Sequence, residues 1–404
     1  MPKPLSAETI ACVKATAPVV AARATEVTKA MYARLFQDAH IKALFNHANQ
    51  ATGKQHHALA GAIVGYALNI ENLEVLGPAV ERMAQKHVGY HVLPEHYPYV
   101  AKALLGAIVE VLGEETANEA VLAAWGEAYW FLADLLKERE HAIRDAIEAT
   151  DGGWNGWRAF EIAERTVESA VITSFVLRPK DGGKVLAHKP GQYLTLRLTT
   201  PDQGEIRRNY TISNAPNEAA YRISVKREES GQGGSRFLHD LAAIGTTVEL
   251  TPPAGDFFLP DTPERPVVLL SGGVGLTPMV SMLETIAQKH PDLQTAFVHG
   301  ALDGATHAMD DHVRALAKAH GKTSVATFYA RPAANDEAGR THDHDGLITV
   351  DWLQANTPFE AADFFLCGPR PFLKAFVGGL SRAGVASDRI HFEFFGPSDE
   401  ALAV

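Results

Sequence analysis

Cysteine is scarce in this sequence, because Cys12 and Cys367 are the only two among 404 residues and lie far apart along the chain. Two distant cysteines exclude a disulfide framework and are typical of a protein in a reducing compartment. Long apolar runs are also missing, since no segment approaches the roughly 20 residues of a membrane-spanning helix. Lys14 and Arg23 interrupt the early apolar stretch, which argues against a signal peptide. We therefore expect a cytoplasmic protein without membrane insertion.

Basic residues are in the minority, with 37 Lys and Arg against 48 Asp and Glu and a formal net charge of −11. This excess of negative charge argues against nucleic acid and anionic membranes as partners. Hydrophobic residues make up 46% of the chain and charged residues 21%, as in a globular protein. A chain of this length is expected to form about two to four domains.

The composition changes twice along the chain, which predicts three domains. Residues 1–150 are rich in Ala, Leu, Glu and Lys and have helical periodicity, which ends at the Gly- and Trp-rich segment 152–157. Residues 151–262 contain short alternating runs separated by turn residues, which is typical of an antiparallel barrel. In residues 263–404 continuous apolar runs alternate with helical patterns, as in a parallel sheet buried on both faces. The predicted fold is multi-domain: all-α, then an antiparallel β-barrel, then α/β with a parallel sheet.

The first candidate for metal binding is His87, which shares the apolar stripe of an amphipathic helix with Met83 and Val80. Gly89 predicts the end of that helix and Pro94 the start of the next. A neutral imidazole that points into an apolar pocket is the usual protein ligand of haem iron. Taken alone, an inward histidine is more often a hydrogen-bonded core residue.

Four more polar side chains, those of Tyr32, Gln55, Tyr97 and Glu140, lie on inward faces of predicted helices. A buried hydroxyl needs a hydrogen-bond partner, and a buried carboxylate is costly unless it is paired. Each residue also has a simpler explanation. The tyrosines are then core residues, Gln55 is a surface or capping group, and Glu140 forms a solvent-exposed ion pair beside Arg139.

Together with Phe45, these residues resemble the haem pocket of bacterial globins of the flavohaemoglobin family, and the resemblance covers the whole helical domain. It implies the following haem-site residues: His87 as proximal ligand of haem b, Tyr97 and Glu140 behind it, Tyr32 and Gln55 as distal donors to bound O2, and Phe45 and Lys86 as haem contacts. A carboxylate that accepts from the imidazole N–H makes the ligand more electron-donating. Such a ligand favours superoxide character in the bound oxygen over reversible carriage.

In the second domain, Arg208, Tyr210 and Thr211 lie on one predicted strand. A guanidinium, an aromatic ring and a hydroxyl can serve a pyrophosphate, a flavin face and the flavin N5 edge, although ordinary strands also contain such patterns. The Gly-rich turn at 233–235 opens a predicted helix, where free N–H groups favour an anion. In this order the motifs resemble the FAD barrel of the ferredoxin-NADP reductase superfamily. The resemblance implies FAD contacts at Gln192, Tyr193, Arg208, Asn209, Tyr210, Thr211, Lys226, Gly234 and Ser235.

In the third domain, a buried strand leads into the glycine-rich segment 272–275 and then into a helix with Pro278 in its first turn. The glycines allow phosphates to approach the backbone, and the helix start favours their charge. Cys367 ends a later strand, and Phe395 precedes the closing Gly-Pro; the simplest explanations are a small residue in limited space and a core-edge aromatic. The superfamily resemblance instead places Cys367 beside the nicotinamide and Phe395 on the flavin face. It implies cofactor contacts at Gly272, Gly273, Gly275, Thr277, Pro278, Cys367, Gly368, Pro369, Glu393 and Phe395.

The three domains occur in the flavohaemoglobin order over nearly the full length, so the chain is identified as a member of that family with nitric oxide dioxygenase activity. Membership implies that hydride passes from NAD(P)H to FAD, that single electrons reach the haem, and that NO and O2 become nitrate. Two alternatives stay open: oxygen sensing or storage, and haem-dependent reduction of alkyl or lipid hydroperoxides. We also expect a monomer, and leave open whether a lipid fills the distal pocket.

Two positions bear on finer properties. Trp130 is bulky where the family pattern has a small residue, so it either narrows the haem pocket or fills a surface groove. Asp303 follows the second strand of the third domain without a nearby basic cluster for a 2′-phosphate, which favours NADH over NADPH.

Overall fold

The computed structural model describes residues 3–38, 41–42, 44, 54–229 and 233–395, with the backbone alone at 54–58 and 73–74. Contacts between Cα atoms divide the described chain into two compact units. One unit runs to Ala149 and includes Glu205–Arg207, and the other starts at Thr150 and comprises the remaining residues up to Phe395. Within the described ranges, no helix is long and apolar enough to cross a membrane.

The first unit is helical, as its periodicity predicts. Its helices are α1 (Ala7–Ala22), α2 (Ala24–Leu35), α3 (Lys54–Leu68), α4 (Gly77–Gly89), α5 (Tyr97–Leu112) and α6 (Glu119–Glu148). The long helix α6 begins after Asn118, whose side chain accepts a hydrogen bond from the N–H of Val121 at 3.1 Å. Most of the apolar helix faces meet in a main core around Val27, Ile108 and Ala128, which have no exposed surface.

The second unit begins with an antiparallel sheet that closes on itself. Strands β1 (Arg158–Val167), β2 (Ile172–Pro179), β3 (Tyr193–Thr200), β4 (Gly204–Thr211), β5 (Tyr221–Lys226) and β6 (Thr247–Leu250) lie in the order β4-β3-β6-β1-β2-β5. A bridge between Ile212, just after β4, and Ile223 of β5 joins the two end strands. Alternate side chains such as those of Phe160, Phe175 and Tyr221 fill the interior without exposed surface. This is the barrel that the alternating pattern predicts.

The rest of the second unit is a parallel sheet with helices on its faces. Its elements are β7 (Val267–Gly272), α7 (Leu276–Lys289), β8 (Thr295–Ala301), α8 (Asp310–His320), β9 (Thr323–Tyr329), β10 (His344–Asp345), α9 (Val350–Asn356), β11 (Asp363–Cys367), α10 (Arg370–Arg382) and β12 (Ile390–Glu393). On β7, Val267 and Leu269 pack into one core, and Val268 and Leu270 pack into another on the opposite face. A strand covered on both faces has no need of polar alternation, which explains its continuous apolar run.

The strand order β10-β9-β8-β7-β11-β12 makes β7 the point where the sheet changes direction. After β7 the chain adds β8 and β9 on one side, whereas β11 and β12 lie on the other. In open α/β sheets, ligands bind in the crevice outside the carboxyl ends of the strands at such a point. The glycine-rich segment after β7 and the turn after β11 therefore lie where a nucleotide is expected.

Candidate functional site

His87 is placed by the local sequence of α4. The helix has a proline in its first turn and ends at Gly89. Its residues Ala84 and Val88 are buried in a small core shared with α6. Val80 is partly buried on the same core, and the His87 side chain retains 33% exposure. The imidazole therefore lies at the edge of an apolar cluster with one side accessible.

Two polar side chains hold the other side of the imidazole. Oε1 of Glu140 lies 2.7 Å from Nδ1 of His87, and Oη of Tyr97 lies 3.0 Å from the same nitrogen. The Tyr97 hydroxyl donates to Oε1 of Glu140 at 2.5 Å. Because a carboxylate only accepts hydrogen bonds, we assign the ring proton to Nδ1. Nε2 then carries the lone pair, and it has no hydrogen-bond partner among the described residues. A neutral imidazole with an available nitrogen fits a single-histidine ligand of haem iron.

Glu140 is a fully buried carboxylate on α6, with no exposed surface. Burial and the nearby Glu140 carboxylate raise the pKa of Tyr97 above its ordinary value, so the hydroxyl keeps its proton and continues to donate. Nη2 of Arg144 lies 3.7 Å from the second Glu140 oxygen. A solvent-exposed ion pair between Glu140 and Arg139 does not form, since Arg139 pairs with Glu81 of α4 at 2.5 Å.

The remaining residues predicted for the haem pocket are described to different extents. Tyr32 lies on α2 with 5% exposure, and its ring centroid is 5.4 Å from that of Phe36. Lys86 is half-buried on α4, next to the proposed ligand. Gln55 lies on α3, but its side chain is outside the described structure, and Phe45 lies outside the described residues.

Trp130 lies on α6 with 37% of its surface exposed. Its ring meets that of Tyr129 edge-on at 5.3 Å, and Nζ of Lys137 lies 5.5 Å from its centroid. The Tyr129 hydroxyl donates to the carbonyl of Tyr97 at 2.8 Å. Trp130 is therefore connected to the His87 site through one intervening side chain.

In the barrel, the structure brings Arg208 and Tyr210 of β4 against the predicted Gly-rich turn. Gly233 has φ of +104°, a conformation that favours glycine. At Gly234, a Cβ atom would lie 2.6 Å from Oη of Tyr210 and 2.8 Å from Cγ of Arg208, so a larger residue there would displace these two side chains. Burial raises the pKa of Tyr210, which keeps the phenol neutral. A guanidinium and an aromatic ring beside closely packed backbone fit a flavin nucleotide.

Three other predicted flavin contacts lie on β4 and on the neighbouring strand β3. Thr211 is buried at the end of β4, and Asn209 accepts a hydrogen bond from the Thr195 hydroxyl at 3.0 Å. Tyr193 begins β3, and its ring packs so closely on Gly255 that a Cβ atom there would lie 3.0 Å from Cε1. Asn209 and Thr211 thus lie on the same strand as Arg208 and Tyr210, whereas Tyr193 lies on the adjacent strand β3.

The last three predicted flavin contacts have partners of another kind. Lys226 forms an ion pair with Glu228 at 3.0 Å, and Oγ of Ser235 accepts from the N–H of Glu228 at 3.3 Å. The Gln192 side chain accepts from the N–H of Lys189 at 2.9 Å. The side chains of Lys226, Ser235 and Gln192 thus contact other protein groups. None of these contacts is with Arg208 or Tyr210.

In the parallel sheet, the predicted nucleotide-binding turns lie against each other. A Cβ atom on Gly275 would lie 2.1 Å from the carbonyl oxygen of Cys367 and 2.8 Å from the nitrogen of Gly368, so the backbones are in direct contact. Gly273 has φ of +55°. At Gly272 a Cβ atom would be 3.2 Å from both Pro369 and a neighbouring aromatic ring. Gly272 and Gly275 are buried in this contact, and Gly273 is partly exposed at the carboxyl edge of β7, where a nucleotide is expected.

The side chains around these turns are predominantly buried. Cys367 has no exposed surface, and burial, with a smaller effect of Glu393, raises the pKa of its thiol well above the ordinary value. Register pairing places Glu393 of β12 beside Cys367. Thr277 and Pro278 are buried in the first turn of α7. Phe395, which follows β12, keeps 46% exposure and is available to cover a ligand.

One polar group was not predicted from the sequence. Glu284 of α7 lies 2.7 Å from Arg222 of β5 and 2.7 Å from Nε2 of His312 on α8. The only sequence signal is a carboxylate in a stretch of α7 that is buried throughout. The partners could not be deduced, because they lie on a distant strand and another helix.

The chain thus combines three parts: a helical unit with a single-imidazole site, a barrel with a flavin-type pocket, and a parallel sheet with nucleotide-binding turns. This combination defines a class of three-part haem and flavin oxidoreductases. Family models agree with this class. Residues 29–136 match the Globin family, residues 159–259 the oxidoreductase FAD-binding domain and residues 269–377 the oxidoreductase NAD-binding domain.

Individual relatives narrow the class. The chain is 57% identical over 398 residues, 98% of either chain, to the flavohemoprotein of Xylella fastidiosa. The flavohemoglobin of Malassezia yamatoensis, solved with bound FAD and heme, superposes with a TM-score of 0.86 at 27% identity and covers 98% of this chain and 100% of its own. The FAD/NAD-binding domain of nitric oxide dioxygenase from Vibrio cholerae gives 0.54 at 38% identity, covering 59% of this chain and 99% of its own. The chain belongs to the flavohemoprotein family, which confirms the predicted family and fold class.

Proposed function

We propose that this protein is an NAD(P)H-dependent nitric oxide dioxygenase that converts NO and O2 to nitrate. The observation that carries the proposal is the buried carboxylate of Glu140 on Nδ1 of His87, at 2.7 Å, in a chain that also has flavin and nicotinamide domains. An oxygen store needs neither an electron-rich proximal ligand nor a fused reductase. The relative from Vibrio cholerae bears the name nitric oxide dioxygenase.

When bound, haem supplies the iron at which O2 and NO react, and FAD and the nicotinamide supply the electrons. His87 would hold the iron through Nε2, while Glu140 accepts a hydrogen bond from Nδ1 and makes the imidazole more electron-donating. Tyr97 donates to Glu140 at 2.5 Å and thereby fixes the orientation of the carboxylate. Tyr32 and Gln55 would donate hydrogen bonds to the small-molecule substrate.

The reductase residues bind and orient the two nucleotides. Arg208 neutralises phosphate charge, Tyr210 packs on the flavin, and Gly275 allows the nicotinamide nucleotide to approach the backbone. Phe395 would cover one face of the flavin. The other proposed contacts are Phe45 and Lys86 for haem, Gln192, Tyr193, Asn209, Thr211, Lys226, Gly234 and Ser235 for FAD, and Gly272, Gly273, Thr277, Pro278, Cys367, Gly368, Pro369 and Glu393 for NAD(P)H.

The proposal includes the organisation of the chain: a haem domain at 1–150, an FAD domain at 151–262 and a nicotinamide domain at 263–404. We further propose a cytoplasmic monomer, in line with its two distant cysteines. NADH is the proposed reductant. Asp303 follows β8, and the sequence next to it contains no basic cluster; its Oδ1 accepts a hydrogen bond from the N–H of Thr306 at 3.0 Å.

The test is single-turnover mixing of the oxygenated, haem- and FAD-loaded protein with NO. We expect stoichiometric nitrate within the mixing time, and slow or substoichiometric nitrate would favour an oxygen sensor. Steady-state NADH consumption with NO and O2 is then compared with consumption with an alkyl hydroperoxide. Faster consumption with the hydroperoxide would favour peroxide reduction, and kcat/KM for NADH and NADPH identifies the reductant.

A further inference from the structure

Glu284 connects the barrel to the nicotinamide-binding part of the second unit through three hydrogen bonds. Its Oε2 accepts from the backbone N–H of Ala215 at 2.6 Å. Its Oε1 accepts from Nη2 of Arg222 at 2.7 Å and from Nε2 of His312 at 2.7 Å. Ala215 and Arg222 belong to the barrel, whereas Glu284 and His312 lie on α7 and α8 beside the parallel sheet. The residue is 8% exposed, so little water competes for these bonds.

The charge of Glu284 is held in place by its partners. Burial by itself would raise its pKa, but the hydrogen bond from His312, the charge of Arg222 and the N–H of Ala215 together lower the pKa below the usual value. Glu284 is therefore an anion at neutral pH, surrounded by donors. A buried ion pair of this kind contributes little net stability because desolvation offsets the attraction. Its main effect is to favour one arrangement of the groups that it joins.

The barrel residues that Glu284 contacts lie close in sequence to the proposed flavin site. Ala215 is four residues after Thr211, the last residue of β4. Nη2 of Arg222 also donates to the carbonyl of Ser213, and its backbone N–H donates to Oδ1 of Asn214 at 2.6 Å. Arg222 thus fixes the segment that leaves β4, the strand with the proposed flavin contacts.

The other side continues into the proposed nicotinamide site. Helix α7 begins at Leu276, immediately after Gly275, and Glu284 lies about two turns along it. One turn earlier, Oγ of Ser281 donates to the carbonyl of Asn214 at 2.8 Å, so α7 contacts the same barrel segment twice. The same carbonyl lies 3.0 Å from Nε2 of His188. A helix attached at two successive turns has little freedom to slide or rotate.

We propose that Glu284 is a positioning residue for hydride transfer. By fixing α7 on the segment after β4, it holds the nicotinamide bound at the start of α7 in register with the flavin bound along β4. The inference rests on the proposed function, because it assumes that both nucleotides bind at those places. Hydride transfer depends steeply on this register, since misplacement of reacting groups by 1 Å can cost about a hundredfold in rate.

The test is anaerobic stopped-flow reduction of the flavin by NADH in the full-length protein loaded with haem and FAD. Varying the NADH concentration separates the limiting rate from the dissociation constant. In Glu284→Gln, the amide NH2 must face at least one of the three donors and cannot accept its hydrogen bond. The substitution therefore weakens the attachment of α7 to the barrel with little change in side-chain volume. We expect the limiting rate to fall about tenfold or more, with less than about a threefold change in the NADH dissociation constant.

The matched control is Asp343→Asn. Asp343 also accepts three hydrogen bonds, from Arg314 at 2.9 Å and from the N–H and hydroxyl of Thr327 at 2.8 and 2.9 Å, but all partners belong to the parallel-sheet part. It should keep the wild-type limiting rate. Glu284→Asp, which preserves the charge, should recover part of the rate lost in Glu284→Gln.

A wild-type limiting rate in Glu284→Gln, or an equal loss in Asp343→Asn, overturns the inference. FAD content and thermal unfolding are measured for each variant. Should Glu284→Gln lose FAD, Arg222→Lys examines the same bond from the barrel side, and an unchanged limiting rate there counts against the proposal equally. If neither NADH nor NADPH reduces the wild-type flavin, the proposed function itself fails, which is a distinct result.

Discussion

Replacing Glu140 by Gln should raise the reduction potential of the haem iron. Oε1 of Glu140 accepts from Nδ1 of His87 at 2.7 Å and from the Tyr97 hydroxyl at 2.5 Å, inside a fully buried environment. The amide has nearly the same shape but no charge, so its oxygen is a weaker hydrogen-bond acceptor. It therefore polarises the Nδ1–H bond of His87 less. The imidazole then donates less electron density to the iron, which disfavours the ferric state relative to the ferrous state.

The magnitude follows from the strength of the hydrogen bond. A bond to a charged group contributes about 1.5–3 kcal/mol and a neutral bond about 0.5–1.5 kcal/mol, so the substitution removes roughly 1–2 kcal/mol. If most of this stabilisation is lost from the ferric state, the reduction potential of the ferric/ferrous couple rises by roughly 40–80 mV, since 59 mV corresponds to about 1.4 kcal/mol.

The assay is a spectroelectrochemical titration of the Soret band in the haem-loaded protein. The control is Glu81→Gln, which removes an ion pair with Arg139 between the same helices, α4 and α6. Those side chains are 35% and 45% exposed, and surface pairs contribute about 0–1 kcal/mol, so the control should shift the potential little. An unchanged potential in Glu140→Gln, or an equal shift in Glu81→Gln, refutes the argument.

Four further predictions concern the other sites. Tyr32→Phe should speed O2 release, measured by CO displacement, because a donor is lost; an unchanged off-rate would remove Tyr32 from the pocket. Phe395→Ala should slow flavin reduction by NADH without altering the Soret band, and the reverse pattern would contradict its placement. Gly275→Ala should lower the Tm of the flavin-containing part, because its Cβ would lie 2.1 Å from the Cys367 oxygen, whereas an unchanged Tm would show that the turn can relax. Burial lowers the pKa of His188 to about 4. Between about pH 6.5 and 4 the unfolded chain therefore binds one more proton than the folded protein. The free energy of unfolding thus decreases as the pH drops, by roughly 3 kcal/mol in total. Urea unfolding at pH 7 and 5 should show that the free energy of unfolding changes less with pH in His188→Gln than in the wild type. An equal change in both proteins would disprove the prediction.

Periodicity was sufficient to predict the helix faces of the proposed haem site. It placed His87 beside Val80 and gave Glu140 an inward position, because residues three or four apart lie on one face of a helix. It also separated the barrel, with its alternating strands, from the parallel sheet, with its continuous runs. Gly89 correctly predicted the end of α4, whose start at Gly77 was not predicted.

The assignment of partners required the tertiary structure. Glu140 has Arg139 beside it in sequence, yet it accepts from His87, 53 residues away, while Arg139 pairs with Glu81. Sequence spacing within one helix says which face a residue is on, but not which residue of another helix lies opposite.

The sequence by itself therefore determined the family and the three kinds of fold, and it supplied the residues proposed for the sites, because these depend on local periodicity and on motifs that are contiguous in the chain. Only the tertiary structure decided which groups meet: the glycine turns of β7 and β11, and the contacts of Glu284 with Ala215, 69 residues away, and with Arg222. Such meetings depend on strand order and helix packing, which arise when the whole chain buries its apolar surface.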